Sequence, residues 1–166
     1  MLYPLVTAWS HLLQEIALAW NRRRKNIHKI PSFYTSQNKA RDFVRNRKLT
    51  DDEVQTAAVV FDVLARLDYK PDSFCVLNPT SPLRTPKLLV DAYLLFKNRD
   101  FPALISQPEM GGHDGTYIFA KTLAFLRAMC LLTIEGARWN KIPARFSSDI
   151  NTQEDFDKAL SLAENR

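Results

Sequence analysis

All four glycines of this 166-residue chain, Gly111, Gly112, Gly115 and Gly136, fall between positions 111 and 136. Ordinary usage of about 7% would scatter roughly twelve along such a length. A loop that wraps a phosphate needs glycine, because only a residue without Cβ lets the backbone approach so closely. The first 110 residues contain none. A Walker A loop and a GxGxxG fingerprint are therefore both excluded there.

The composition, 46% hydrophobic and 25% charged, fits one globular domain over residues 1–166 with a core of ordinary size. The net charge of +5 comes from a single block. Residues 21–48 hold ten Lys or Arg against one acid, Asp42, and the rest of the chain has an acidic excess. Within the block the aromatics are Phe33, Tyr34 and Phe43, and no nucleic-acid module matches. A solvated basic face is expected in preference to a nucleic-acid partner. Cys75 and Cys130 form no CxxC, which predicts two reduced core thiols in a cytosolic protein. His11, His28 and His113 have no zinc spacing. The apolar opening carries His11, Gln14 and Glu15 and no basic segment precedes it, so neither a signal peptide nor a membrane span is expected. A cytoplasmic location follows as the expectation.

Leu2, Leu5, Val6, Trp9, Leu12, Leu13, Ile16 and Trp20 recur at helical spacing, as on an amphipathic helix. Ile27 to Tyr34 reads as a strand that Pro31 confines to an edge or splits. Thr50-Asp51-Asp52-Glu53 has the form of a capping box, predicting a helix through Asp68. Phe74 to Leu77 reads as a buried parallel strand. Thr85-Pro86 predicts a helix start, N-cap then proline at N1, running to about Asn98. Strands are expected at Ala103–Gln107, Thr116–Ala120 and Trp139–Ala144, with a helix from about Thr122 to Leu132. Thr152 to Asp155 caps a final amphipathic helix. Helices alternating with short apolar strands indicate a three-layer α/β domain.

Two segments have the chemistry of a site. Asn78-Pro79-Thr80-Ser81-Pro82-Leu83-Arg84 follows a strand, where open α/β sheets bind ligands. It offers an amide, two hydroxyls and a guanidinium able to pair with phosphate or carboxylate. Those same groups also suit a stiff connection that satisfies its own turn. Asp149 and Asn151, at i and i+2, share a face in an extended segment and could reach one cation. The bland alternative is a polar cap of the last helix. His113-Asp114-Gly115 is a polar turn that alone means little.

In order along the chain, these segments resemble the acylneuraminate cytidylyltransferases, the CMP-sialic acid synthetases and their relatives. Leu77 to Arg84 matches the family's LQPTSPLR loop at seven of eight positions. Asp149 to Phe156 is similar to DIDTxEDF, Gly115 to Phe119 to NGxxYIF, Arg45 with Leu49 to Asp52 to RPxxLAxD, and Pro4 to Trp9 to PLIAWTI. The resemblance implies a nucleotide-diphospho-sugar transferase domain, GT-A-like and Rossmann-like, with a mostly parallel sheet. It implies transfer of CMP from CTP to an acid sugar, with magnesium on the triphosphate. Asp149 and Asn151 would stand at the metal. Asn78, Thr80, Ser81 and Arg84 would border the sugar and nucleotide, and Arg45 would face the nucleotide.

Three features depart from the family pattern. The family's first strand and phosphate loop have no counterpart in this sequence, which opens at the following helix. Asn78 and Asn151 replace a glutamine and an aspartate. The long insert between the strands at Ala103 and Thr116 is reduced to Pro108–Gly115. A competing expectation is a catalytically silent domain, acting as a homo-oligomer or completed by a partner chain. A third is nucleic-acid binding through residues 21–48.

Overall fold

The computed structural model describes residues 47–49 and 54–164. The expected helix over 2–20, the strand at 27–34, the capping box at 50–53, Arg45 and nearly all of the basic block lie outside these residues. Among these residues four α-helices and four strands follow one another: α1 Thr56–Arg66, β1 Ser73–Val76, α2 Pro86–Asn98, β2 Ala103–Pro108, β3 Ile118–Lys121, α3 Thr122–Ala128, β4 Arg138–Ile142 and α4 Gln153–Glu164.

The sheet order is β1-β3-β2-β4. It is mixed, which corrects the mostly parallel expectation: β3 pairs antiparallel with both β1 and β2, and only β2 with β4 is parallel. The cause is the short connection over 109–117. A parallel return needs a crossover of a dozen or more residues, so β3 comes back reversed. β1, β2 and β4 nevertheless share one direction, and their carboxyl ends lie at one end of the sheet.

Side-chain alternation divides the core into two faces. Leu104 opposite Phe119 points to one side, and Ala103 opposite Ala120 and Ile105 opposite Ile118 to the other. The first face packs on α2 through Ala92 and Phe96. The second packs on α1 and α3 through Ala57, Leu64 and Phe125. Helices thus cover both faces of the sheet, as the alternating pattern predicts. Phe125 anchors its side with Phe61 at 4.7 Å and Phe74 edge-on at 5.3 Å between ring centroids.

Several local signals hold. Thr85 Oγ1 accepts from Leu88 N at 3.2 Å, and Pro86 occupies the first turn of α2. Thr152 and Asp155 close a reciprocal cap on α4: Asp155 N donates to Thr152 Oγ1 at 3.2 Å, and Thr152 N to Asp155 Oδ2 at 2.9 Å. Others differ. α1 starts at Thr56, with Val54 and Gln55 outside the helix and no side-chain cap. β1 is not a buried parallel strand: its residues alternate between exposed and half-buried, since among the described residues it has one neighbour, β3. Both cysteines are free, but Cys75 is exposed and Cys130 half-buried, so neither is a core thiol. No described helix is long and apolar enough to cross a membrane.

Candidate functional site

Three loops leave the sheet at the carboxyl ends of β1, β2 and β4, and backbone hydrogen bonds tie them together. Asn78 N donates to Gly115 O at 3.2 Å, and Ile150 N donates to Thr80 O at 2.9 Å. Leu83, Ile150 and Ala159 form a small core beneath them, so α4 docks on the loop after β1. Residues 78–84, 113–117 and 149–151, remote in sequence, thereby meet at one place.

Within that cluster Ser81 and Arg84 face inward. Ser81 is fully buried and its hydroxyl donates to Asp114 O at 2.5 Å. Arg84 is 8% exposed. Its guanidinium donates to Thr116 O at 2.8 Å and to Asn78 O. Burial lowers its pKa, against the opposing influence of Cys75 and Asp114. Both side chains staple the loop after β1 to the approach to β3. Asn78 and Thr80 are half-buried at the rim. Gly115 has φ +70°, and a Cβ there would come within 2.5 Å of Asn78 Nδ2, so this junction requires glycine.

Asp114 is the centre of the polar network, a role its sequence context did not reveal. It is 4% exposed. Its Oδ1 accepts from Ser106 Oγ at 2.8 Å and Thr116 N at 3.0 Å, and its Oδ2 from Thr116 Oγ1 at 2.8 Å. Burial pushes this carboxyl up, but the donors from Thr116, Ser147 and Ser106 together outweigh it and hold it below the usual carboxylate range. Ser106 also accepts from Tyr117 N at 3.1 Å, and the buried Tyr117 hydroxyl accepts from Asn140 Nδ2. The available signal was Ser106, a lone hydroxyl in an apolar strand, since buried polar groups seek partners.

Asp149 is exposed and accepts from Asn151 Nδ2 at 3.1 Å. Among the described residues no group of three or more His, Cys, Asp or Glu is placed to hold a metal. Magnesium characteristically uses one or two protein carboxylates together with phosphate oxygens and water. Asp149 fits that part as a single ligand, and Asn151 would join it only by turning its amide oxygen inward. Beside Asp149 lies a cleft of about 300 Å³ lined by Pro108, His113, Asp114, Ser148, Asp155 and Lys158 among others. Burial keeps His113 toward its neutral form, although Asp114 and Asp149 act in the other sense. No protein-family profile matches the chain, and a search of curated proteins gives no match.

Proposed function

We propose that this chain is a cytidylyltransferase-type protein that transfers CMP from CTP to an acid sugar of the sialic class. The observation that carries the reading is convergence. The segments resembling the family's sugar loop, its strand entry and its metal segment meet through the Asn78–Gly115 and Thr80–Ile150 bonds. Ligands of open α/β sheets bind at such an end. In the reaction a sugar hydroxyl oxygen bonds to the α-phosphorus, its proton passes to solvent water, and the bond to the departing pyrophosphate breaks. Magnesium, when bound, neutralises triphosphate oxygens. In this reading Asp149 would hold it, joined by Asn151 once its amide oxygen turns inward, Asn78 and Thr80 border the sugar and nucleotide, and Ser81 and Arg84 fix the loop. The protein works in the cytoplasm as a homo-oligomer or with a partner chain.

The test is product formation. The full chain is incubated with CTP, N-acetylneuraminate and magnesium, and pyrophosphate and CMP-sugar are quantified. Turnover abolished by Asp149→Ala supports the proposal; no product at millimolar substrates contradicts it.

A second reading, a silent domain kept as a subunit, is favoured by two observations. Ser81 and Arg84 donate to backbone carbonyls inside the protein. Asn151 donates to Asp149 instead of adding a second carboxylate. Absence of product together with a stable oligomer or heteromer on size determination supports that reading.

A further inference from the structure

We propose that Lys158 is the specificity-determining residue of the cleft beside Asp149, where its ammonium takes the carboxylate of the acid sugar. This role rests on the cytidylyltransferase reading and adds a residue to it. Asp155, Lys158, Ala159 and Leu162 all line the cleft. Their spacing of i, i+3, i+4 and i+7 makes them one face of α4. Ala159 is 2% exposed and packs with Leu83 and Ile150, which fixes that face against the loop after β1. Side chains on a helix lean toward its N-terminus, so Lys158 leans toward the segment that carries Asp149. That segment is tied to the rim residue Thr80, because Ile150 N donates to Thr80 O at 2.9 Å.

The charges on the lining are not equivalent. Asp114 accepts from Ser106 Oγ, Thr116 N and Thr116 Oγ1. Asp155 Oδ2 accepts from Thr152 Oγ1 at 2.8 Å, Thr152 N at 2.9 Å and Asn151 N at 3.1 Å. Those bonds hold Asp155 below the usual carboxylate range, with a lesser pull from the Lys158 ammonium, which sets that charge on the same side of the helix. The fold thus engages both carboxylates. Burial keeps His113 toward its neutral form. Asp149 is exposed, and among the described residues Lys158 belongs to no ion pair. One available carboxylate and one available ammonium on the same lining suit a ligand that brings a cation to the first and an anion to the second. In the proposed reaction Asp149 answers the cation and Lys158 the sugar's carboxylate. A volume of about 300 Å³ is at the low end of small-ligand sites, which suits a single sugar better than a nucleoside triphosphate.

The test titrates the full chain calorimetrically with N-acetylneuraminate and with its methyl ester, the same sugar without the charge. Magnesium is present and CTP absent. The parent should bind the acid at least about tenfold more tightly than the ester. Lys158→Ala and Lys158→Gln should bind both alike, at the ester's affinity, and Lys158→Arg should keep most of the preference. Because Lys158 is exposed, the preference should shrink as salt rises from about 0.05 to 0.5 M. For the same reason both neutral variants should melt with the parent, which separates a lost contact from a lost fold. The role is overturned if the parent binds acid and ester alike, if neither binds at tens of millimolar, or if the neutral variants retain the preference. Weakened CTP binding with unchanged sugar binding in Lys158→Ala overturns it as well, since the ammonium then serves the triphosphate. The two readings fail separately. Acid-selective binding that depends on Lys158, without any CMP transfer, sinks the cytidylyltransferase reading alone. Turnover with a sugar KM that Lys158→Ala leaves unmoved sinks the role of Lys158 alone.

Discussion

Arg84 carries a full charge into the interior and places it on backbone carbonyls, with Asp114 as the nearby compensating carboxylate. Its planar fork reaches Thr116 O and Asn78 O at once, which a lysine ammonium on a flexible stem cannot reproduce. Arg84→Lys should therefore destabilise the ligand-free protein by about 2 kcal/mol, measured by urea denaturation. A purely ligand-facing arginine would leave that midpoint unmoved. Asp114 is the complementary case. Its carboxyl is held below the ordinary range in the folded state, so it adds stability above the unfolded-state pKa. That stability is lost as pH falls through the depressed folded value. Asp114→Asn should be less stable than the parent at neutral pH, and the gap should close as the solution is acidified. Denaturation midpoints at a series of pH values check the sign; a gap that widens on acidification contradicts it.

At the scale of elements, legibility followed the physics of each signal. The start of α2 was legible because Thr85 and Pro86 act locally, one as acceptor and one through its fixed φ. The reciprocal cap of α4 was legible for the same reason. Thr85→Ala should cost about 1 kcal/mol, read as a drop in the denaturation midpoint. The direction of β3 was not legible in the strand itself, because Thr116 to Ala120 has the same apolar pattern either way. It was implicit in the length of the 109–117 connection. Ser81 and Arg84 posed a different difficulty. A hydroxyl and a guanidinium on a loop suit a ligand or a buried staple equally well, and only tertiary contact separates the two. Gly115 joins these scales. Gly115→Ala should cost about 1–2 kcal/mol from the left-handed backbone alone. It should also displace Asn78, visible as a shift of its side-chain amide NMR signal, because the new Cβ would meet Nδ2 at 2.5 Å.

At the largest scale, the arrangement of strands brings the candidate residues of three described loops together. β1, β2 and β4 run one way and β3 the other, so the loops at 77–85, 109–117 and 143–152 open at the same end. Helices on both faces leave that end as the place where loop residues gather. The scarcity of glycine means that a triphosphate would be gripped here without a glycine-rich loop in the first 110 residues. The charge on the metal then becomes decisive, and Asp149 is its proposed ligand. Calorimetric titration of the full chain with CTP, with and without magnesium, tests this most directly when run on the parent, Asp149→Ala and Asn151→Asp. The account predicts magnesium-dependent binding, weakened at least about tenfold by Asp149→Ala and tightened by Asn151→Asp. No heat at millimolar CTP from the folded protein, or binding indifferent to both magnesium and Asp149, would contradict it.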